Sequence, residues 1–176
     1  MSSLTDNYFA LFDLPQCFRL DIAELDLAYR AVQSRIHPDR FARASDTEKR
    51  IAMQWATFVN LAFQTLRDPV KRASYILTLH GIDVSTLDDA SMSRDFLIQQ
   101  MRCHEEIEDA VGASDFVELN LLAKRLSADR SAKIDKLGDW IDSGNWKPAV
   151  EAIRQLMFIS RAQQDIVQRI EELENI

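Results

Sequence analysis

Glycine, proline and cysteine are scarce in this chain of 176 residues, which has four, four and two of them. So few helix-breaking residues, in a composition that is 47% hydrophobic, favour a compact helical protein over a disordered one. Cys17 and Cys103 are far apart and show no C-x-x-C spacing. We therefore expect reduced thiols, with neither a disulfide framework nor a zinc module.

Long apolar runs are also missing. No stretch approaches the roughly 18 apolar residues that a membrane span needs. The first six residues are mostly polar and lack the basic and apolar regions of a secretory signal. The sequence therefore predicts a cytoplasmic protein without a membrane partner, built as one domain or as two small ones.

A basic surface is absent as well. Residues 1–80 contain ten Lys/Arg and nine Asp/Glu, whereas residues 81–176 contain eleven and nineteen, and the whole chain has a formal charge of −7. This balance argues against a nucleic-acid partner, which needs a basic patch. It also suggests that the two halves meet different surfaces, although an acidic excess can serve solubility alone.

The motif His37-Pro38-Asp39 interrupts a long helical pattern. Proline lacks an amide donor and disfavours helical dihedrals in the residue before it, so a helix should end at or before His37. Asp21 with Glu24, and Ser45 with Glu48, have capping-box spacing and should start a helix on each side. Buried stripes at steps of three and four residues follow each start: Leu25, Ala28, Tyr29, Val32 and Ile36, then Ile51, Ala52, Trp55, Phe58, Val59, Ala62 and Leu66. The pattern predicts a helical hairpin with an exposed loop.

The rest of the chain predicts four more helices, so the expected fold class is all-α. They cover about 70–80, 93–111, 114–144 and 145–173, with glycines closing the first three and Pro148 tolerated in the first turn of the last. The last three suit a three-helix bundle. On the last helix the predicted core stripe is Val150, Ile153, Met157, Ile166, Ile170 and Leu173. Phe158 falls off this stripe and is expected to be exposed.

Catalytic and metal-binding constellations are not evident. His37 and Asp39 could form an acid–base pair, but neither a nucleophile nor a phosphate-binding glycine loop accompanies them. His104, with Glu105 and Glu108, could offer ligands on one side of a helix, but a solvated helix face is the preferred interpretation. We expect no enzyme activity, no metal and no cofactor.

Four motifs in fixed order carry a resemblance to a known family. They are YFALFDLP at 8–15, HPDRF at 37–41, VNLAFQTLRDP at 59–69 and RASYIL at 72–77. Together they resemble a J domain and, more narrowly, the HscB family of iron–sulfur co-chaperones, over nearly the whole chain. The resemblance implies a J-domain helical hairpin at 1–75, a connecting helix and short linker at 76–90, and a C-terminal three-helix bundle at 91–176 on which the first domain packs.

The resemblance also implies a partner for the hairpin. In J proteins this loop and the basic face of the helix before it dock on a DnaK-type chaperone and stimulate its ATP hydrolysis. The matching residues here are His37, Pro38, Asp39, Arg30, Arg35 and Arg40, with the arginines expected on one side. This basic face is sparser than usual, which is consistent with a dedicated chaperone of the HscA kind.

A second site is implied in the acidic half. HscB-like proteins bind an IscU-type iron–sulfur scaffold with the first bundle helix and one position of the last helix. The matching residues are Leu97, Ile98, Met101, Arg102, Glu105, Asp109 and Phe158, with Arg102 standing where a close relative has an acid. Patterning alone instead favours Leu97, Ile98 and Met101 as core. The function implied is delivery of the scaffold to the chaperone for cluster transfer; a general J-domain co-chaperone with another client is the alternative. Self-association is possible but not predicted.

Overall fold

The computed structural model describes residues 7–36, 45–84 and 93–175. Within those ranges the structure is helical and contains no strand, which confirms the predicted all-α class. The helices are α1 (Tyr8–Leu11), α2 (Ile22–Ile36), α3 (Asp46–Arg67), α4 (Pro69–Leu79), α5 (Arg94–Gly112), α6 (Phe116–Asp142) and α7 (Trp146–Glu174). By contacts the chain divides into two compact units, Met1–Leu79 and His80–Ile176. None of the described helices has the length and apolar content of a membrane span.

Local side-chain chemistry starts the helices of the first unit. Before α3 the hydroxyl of Ser45 accepts from the Glu48 amide at 3.4 Å, and the Glu48 carboxylate accepts from the Ser45 amide at 2.9 Å. This is the predicted capping box. The hydrogen bonds from the Ser45 side chain and backbone lower the pKa of Glu48. Before α2 the Asp21 carboxylate accepts from the Ala23 amide at 2.8 Å. Both predicted helix starts are therefore confirmed.

The core of the first unit lies where α2 and α4 pack against α3. Leu25 of α2 and Val59, Ala62 and Leu66 of α3 are completely buried. Tyr29 stacks on Phe63 with ring centroids 4.0 Å apart, and its hydroxyl donates to Asn60 at 2.7 Å. The predicted stripe is wrong at Ile51, which is 47% exposed near the start of α3.

A buried arginine joins the corner between α3 and α4 to the segment before α2. Arg72 is only 6% exposed, and its Nη1 donates to the Leu66 carbonyl at 2.6 Å. Its guanidinium lies 5.2 Å from the centroid of the Phe18 ring. Burial lowers the pKa of Arg72, against the opposing influence of Cys17 and Asp68. This contact was not predicted from the sequence, although Arg72 stands one turn before the buried Ile76 in the core stripe of α4.

The second unit is a three-helix bundle in which α5, α6 and α7 all pack against one another. One core cluster contains residues from all three helices: Cys103, Ile107, Ala110, Leu119, Leu122, Leu126, Ile159, Ala162 and Ile166. Gly144 has φ of +67°, a left-handed conformation that a side chain disfavours, and it turns the chain from α6 into α7. Pro148 lies in the first turn of α7, as predicted.

Candidate functional site

The predicted residues on α5 share the side of the helix that faces solvent. Leu97, Ile98 and Met101 are 39%, 40% and 64% exposed, and Arg102, Glu105 and Asp109 are exposed as well. We refer to these six residues as the α5 face. The core side of α5 is formed instead by Phe96, Cys103, Ile107 and Ala110. The alternative that Leu97, Ile98 and Met101 are core residues is therefore wrong.

The α5 face is divided along its length. Leu97, Met101, Glu105 and Asp109 follow one another at steps of four residues and therefore form one row along the helix. The first two are apolar and the last two are acidic, so the N-terminal half of the row is apolar and its C-terminal half is acidic. Neither Glu105 nor Asp109 has an ion-pair partner within the described ranges. Large apolar side chains grouped on an exposed face are typical of an interaction surface. The free carboxylates can orient a partner that carries positive charge.

Phe158 departs from its prediction. Its side chain is half-buried against the bundle core, and its ring meets Phe96 edge-on at 5.7 Å. Met157, which patterning placed in the core, is 38% exposed. The expected exposure of Phe158 and burial of Met157 are both wrong, because the fully buried residues of this turn of α7 are Leu156 and Ile159. Phe158 lies between these two buried residues in sequence, and its ring contacts Phe96 of α5.

A groove of about 300 Å³ lies between α5, α6 and α7. Its lining is Phe96, Gln99, Arg102, Cys103, Glu106, Arg125, Leu126, Asp129, Phe158 and Ile159. Arg102 and Phe158 therefore belong both to this groove and to the predicted site. Burial raises the pKa of the Cys103 thiol at the base of the groove, and Glu106 raises it further.

The groove was not predicted from the sequence, because its lining comes from three different helices. The one sequence signal was the opposite charge of Glu106 and Arg125, which form an ion pair between α5 and α6. Within the described parts of the chain, no group of three or more His, Cys, Asp or Glu residues is arranged to hold a metal ion.

Of the six predicted chaperone-binding residues, only Arg30 and Arg35 lie in the described parts of the chain. His37, Pro38, Asp39 and Arg40 lie outside the described residues, in the segment between α2 and α3. Arg30 and Arg35 are exposed on α2, as expected. Arg35 follows Arg30 by five positions, which is about 140° around an α-helix, so the two arginines lie toward opposite edges of one exposed side of α2. Around the axis of α2, the side chain of Leu27 lies between these two arginines, and it is 67% exposed.

Three comparisons relate this chain to known proteins. Residues 92–167 match the family model described as the HSCB C-terminal oligomerisation domain. The chain is 53% identical to the co-chaperone protein HscB homolog of Burkholderia thailandensis over 99% of its own length and 100% of the relative's. Its structure is similar to chaperone HscB from Vibrio cholerae, with 35% identity, a TM-score of 0.84 and coverage of 96% and 99%. Human co-chaperone protein HscB is similar too, with 29% identity, a TM-score of 0.89 and coverage of 96% and 84%.

Proposed function

Because the chain belongs to the HscB family of J-domain co-chaperones, which act in iron–sulfur cluster assembly, we propose that it delivers an IscU-type scaffold protein to a dedicated, HscA-like chaperone of the DnaK type. It stimulates the ATPase activity of that chaperone and so promotes cluster transfer. Residues 1–75 act as the J domain and residues 91–176 as the scaffold-binding domain. The site of action is the cytoplasm.

The observation that carries the scaffold half of this proposal is the exposure of the α5 face. Leu97, Ile98 and Met101 lie within little more than one helical turn and expose large apolar surface to water. Covering such surface is favourable at about 25 cal/mol per Å² of apolar area, which gives a partner a reason to bind there. Glu105 and Asp109 continue the face as an acidic end, so a partner with a basic and an apolar region binds in one orientation.

The chaperone half of the proposal depends on the segment between α2 and α3. His37 and Asp39 offer the chaperone a ring that can hydrogen-bond and a negative charge, and the restricted backbone of Pro38 lowers the entropy cost of binding. Arg30, Arg35 and Arg40 add positive charge. Arg30 and Arg35 are the only basic residues of α2, and so sparse a basic face argues for weak electrostatic steering, which supports a dedicated chaperone over a general one.

The protein itself is not an enzyme under this proposal. J-domain co-chaperones act on the catalytic machinery of another protein, and the chain supplies contacts to that machinery. Turnover of any substrate in the absence of chaperone would contradict this part of the proposal.

The alternative is a general J-domain co-chaperone with a different client. It shares the chaperone contacts and differs only at the α5 face. Binding of purified scaffold therefore separates the two functions, because a general co-chaperone has no affinity for it.

The decisive experiment measures ATP hydrolysis by the purified HscA-like chaperone of the same organism, with and without scaffold. We expect His37→Gln to abolish stimulation and leave the melting temperature unchanged, since the sequence predicts His37 in an exposed loop and exposed substitutions alter stability by about 0.5 kcal/mol or less. His104→Gln, the same change at an exposed histidine of α5, is the matched control and should stimulate normally. Normal stimulation by His37→Gln would remove the J-domain mechanism.

A further inference from the structure

The groove between the three bundle helices continues the α5 face. Arg102 follows Ile98 by one helical turn, so the two are neighbours on the helix surface. From Arg102 the surface turns into the groove, whose base is formed by the buried residues Phe96, Leu126 and Ile159. The edge of Phe158 completes its α7 wall. A partner lying on the α5 face therefore meets an apolar depression at its border.

The charged residues that line this groove differ in whether they already have an ion-pair partner within the protein. Glu106 is paired with Arg125, and Asp129 is 3.5 Å from Lys133. Arg102 is exposed and has no hydrogen bond or ion pair within the described ranges. It is thus the unpaired charge of the lining, and it is a cation in a half of the chain where acidic residues outnumber basic ones nineteen to eleven.

We propose that this groove receives an apolar side chain of the scaffold and that Arg102 pairs with a carboxylate next to it. The proposal rests on the proposed scaffold function and names the chemistry that the scaffold must present. An arginine–carboxylate contact is charge-assisted and directional, and apolar side chains seated in a desolvated pocket commonly dominate binding.

The arrangement also determines the orientation of the scaffold. Glu105 and Asp109 require positive charge opposite the C-terminal end of the α5 face, while Arg102 requires negative charge opposite the groove. A scaffold turned end for end would bring like charges together, which costs several kcal/mol in an interface. Arg102 is therefore a specificity residue that selects scaffolds with an acid at this position.

Charge reversal tests the arginine. Scaffold affinity is measured by titration calorimetry for the full chain, for Arg102→Glu and for Lys147→Glu. Lys147 is exposed in the first turn of α7, does not line the groove, and its reversal changes the net charge equally. We expect Arg102→Glu to weaken binding at least about tenfold and to reduce its salt dependence, with Lys147→Glu near wild type. Equal losses in both variants would overturn the proposal, since the effect would then be one of net charge.

Filling the groove tests its occupancy. Gln99 is exposed and lines the groove, so Gln99→Trp blocks access without touching the core. Gln164→Trp places the same ring at an exposed position of α7 that does not line it. We expect only Gln99→Trp to lose affinity, by about tenfold, with both melting temperatures unchanged. Full affinity in Gln99→Trp would mean that the groove is empty or serves a small molecule, and would overturn the proposal.

Failure of the proposed function and failure of the groove proposal give different experimental results. If the wild-type chain does not bind the scaffold, the proposed function itself is wrong. If wild type binds and Leu97→Ala weakens it, while Arg102→Glu and Gln99→Trp match their controls, the function stands and the groove proposal is wrong. Rescue of Arg102→Glu by changing one scaffold acid to lysine, in a double-mutant cycle, would support the pairing directly.

Discussion

Truncation of Met101 separates binding from folding better than truncation of Leu97 or Ile98, because Met101 is the most exposed apolar residue of the α5 face. The side chain is 64% exposed, so most of its apolar surface is available to a partner. Full burial of a methionine is favourable by about 1.5–3 kcal/mol, and covering the exposed part should contribute about 1–2 kcal/mol. We expect Met101→Ala to weaken scaffold binding about five- to thirtyfold. Because only the smaller part of the side chain is packed in the free protein, unfolding should become easier by ~1 kcal/mol or less.

Phe158→Ala should behave differently, because this ring is half-buried and meets Phe96 edge-on. Complete burial makes Phe→Ala cost about 3–5 kcal/mol, so partial burial and the loss of the aromatic pair should cost about 2–3 kcal/mol. In a unit of this size that lowers the melting temperature by about 10–20 °C. Weaker scaffold binding by this variant would then report unfolding as well as lost contact.

The assay combines titration calorimetry with thermal unfolding followed by circular dichroism. Met53→Ala is the matched control, since Met53 is also 64% exposed but lies on α3. Equal scaffold affinity of the Met101 and Met53 variants would refute the assignment of the α5 face. A Phe158→Ala variant that melts like wild type would refute the packing argument for that ring.

Two further predictions concern stability of the first unit. Hydrogen bonds from Ser45 lower the pKa of Glu48, so the native state binds fewer protons than the unfolded state as Glu48 titrates, and stability falls as the pH drops through its native pKa. Thermal melts over acidic pH should show a shallower slope for Glu48→Gln, and Ser45→Ala should cost about 0.5–2 kcal/mol at neutral pH. Arg72→Met removes the donor to the buried Leu66 carbonyl, and we expect a loss of about 1–3 kcal/mol, seen as a lower urea midpoint; an unchanged midpoint would contradict it.

Helix starts and turns could be predicted from the sequence because their causes are local. The capping box of Ser45 and Glu48 involves residues three apart, and Gly144 needs only its own backbone conformation to turn the chain. Such signals do not depend on what packs against the helix. The same applies to the α5 stripe, whose spacing alone placed its members on one side.

The assignment of that side to solvent or core could not be predicted, because it depends on neighbouring helices. On α7, Met157 lies about 40° around the helix from the buried Ile153 but about 160° from the buried Ile159. Phe158 lies about 40° from the buried Ala162, and its ring meets Phe96 of α5. Both positions are therefore at the border of the buried side, and spacing alone does not decide which of them is covered. Whether the boundary of the core includes position 157 or 158 is decided by where α5 lies. The groove eluded prediction for the same reason, since its charges come from different helices.

The half-buried state of Phe158 suits an interface anchor better than the free exposure expected of it. A ring that rotates freely in solvent loses rotamer entropy when a partner immobilises it, at a cost of about 0.5–1.5 kcal/mol per rotamer-rich side chain. A ring already held against Phe96 has lost most of this rotamer freedom during folding, so binding removes little more. The part of it that lines the groove then contributes contact area to a partner with little further ordering. The corrected position of Phe158 therefore leaves its proposed role intact, and it makes access to the groove, tested at Gln99, a cleaner probe of that role than removal of the ring.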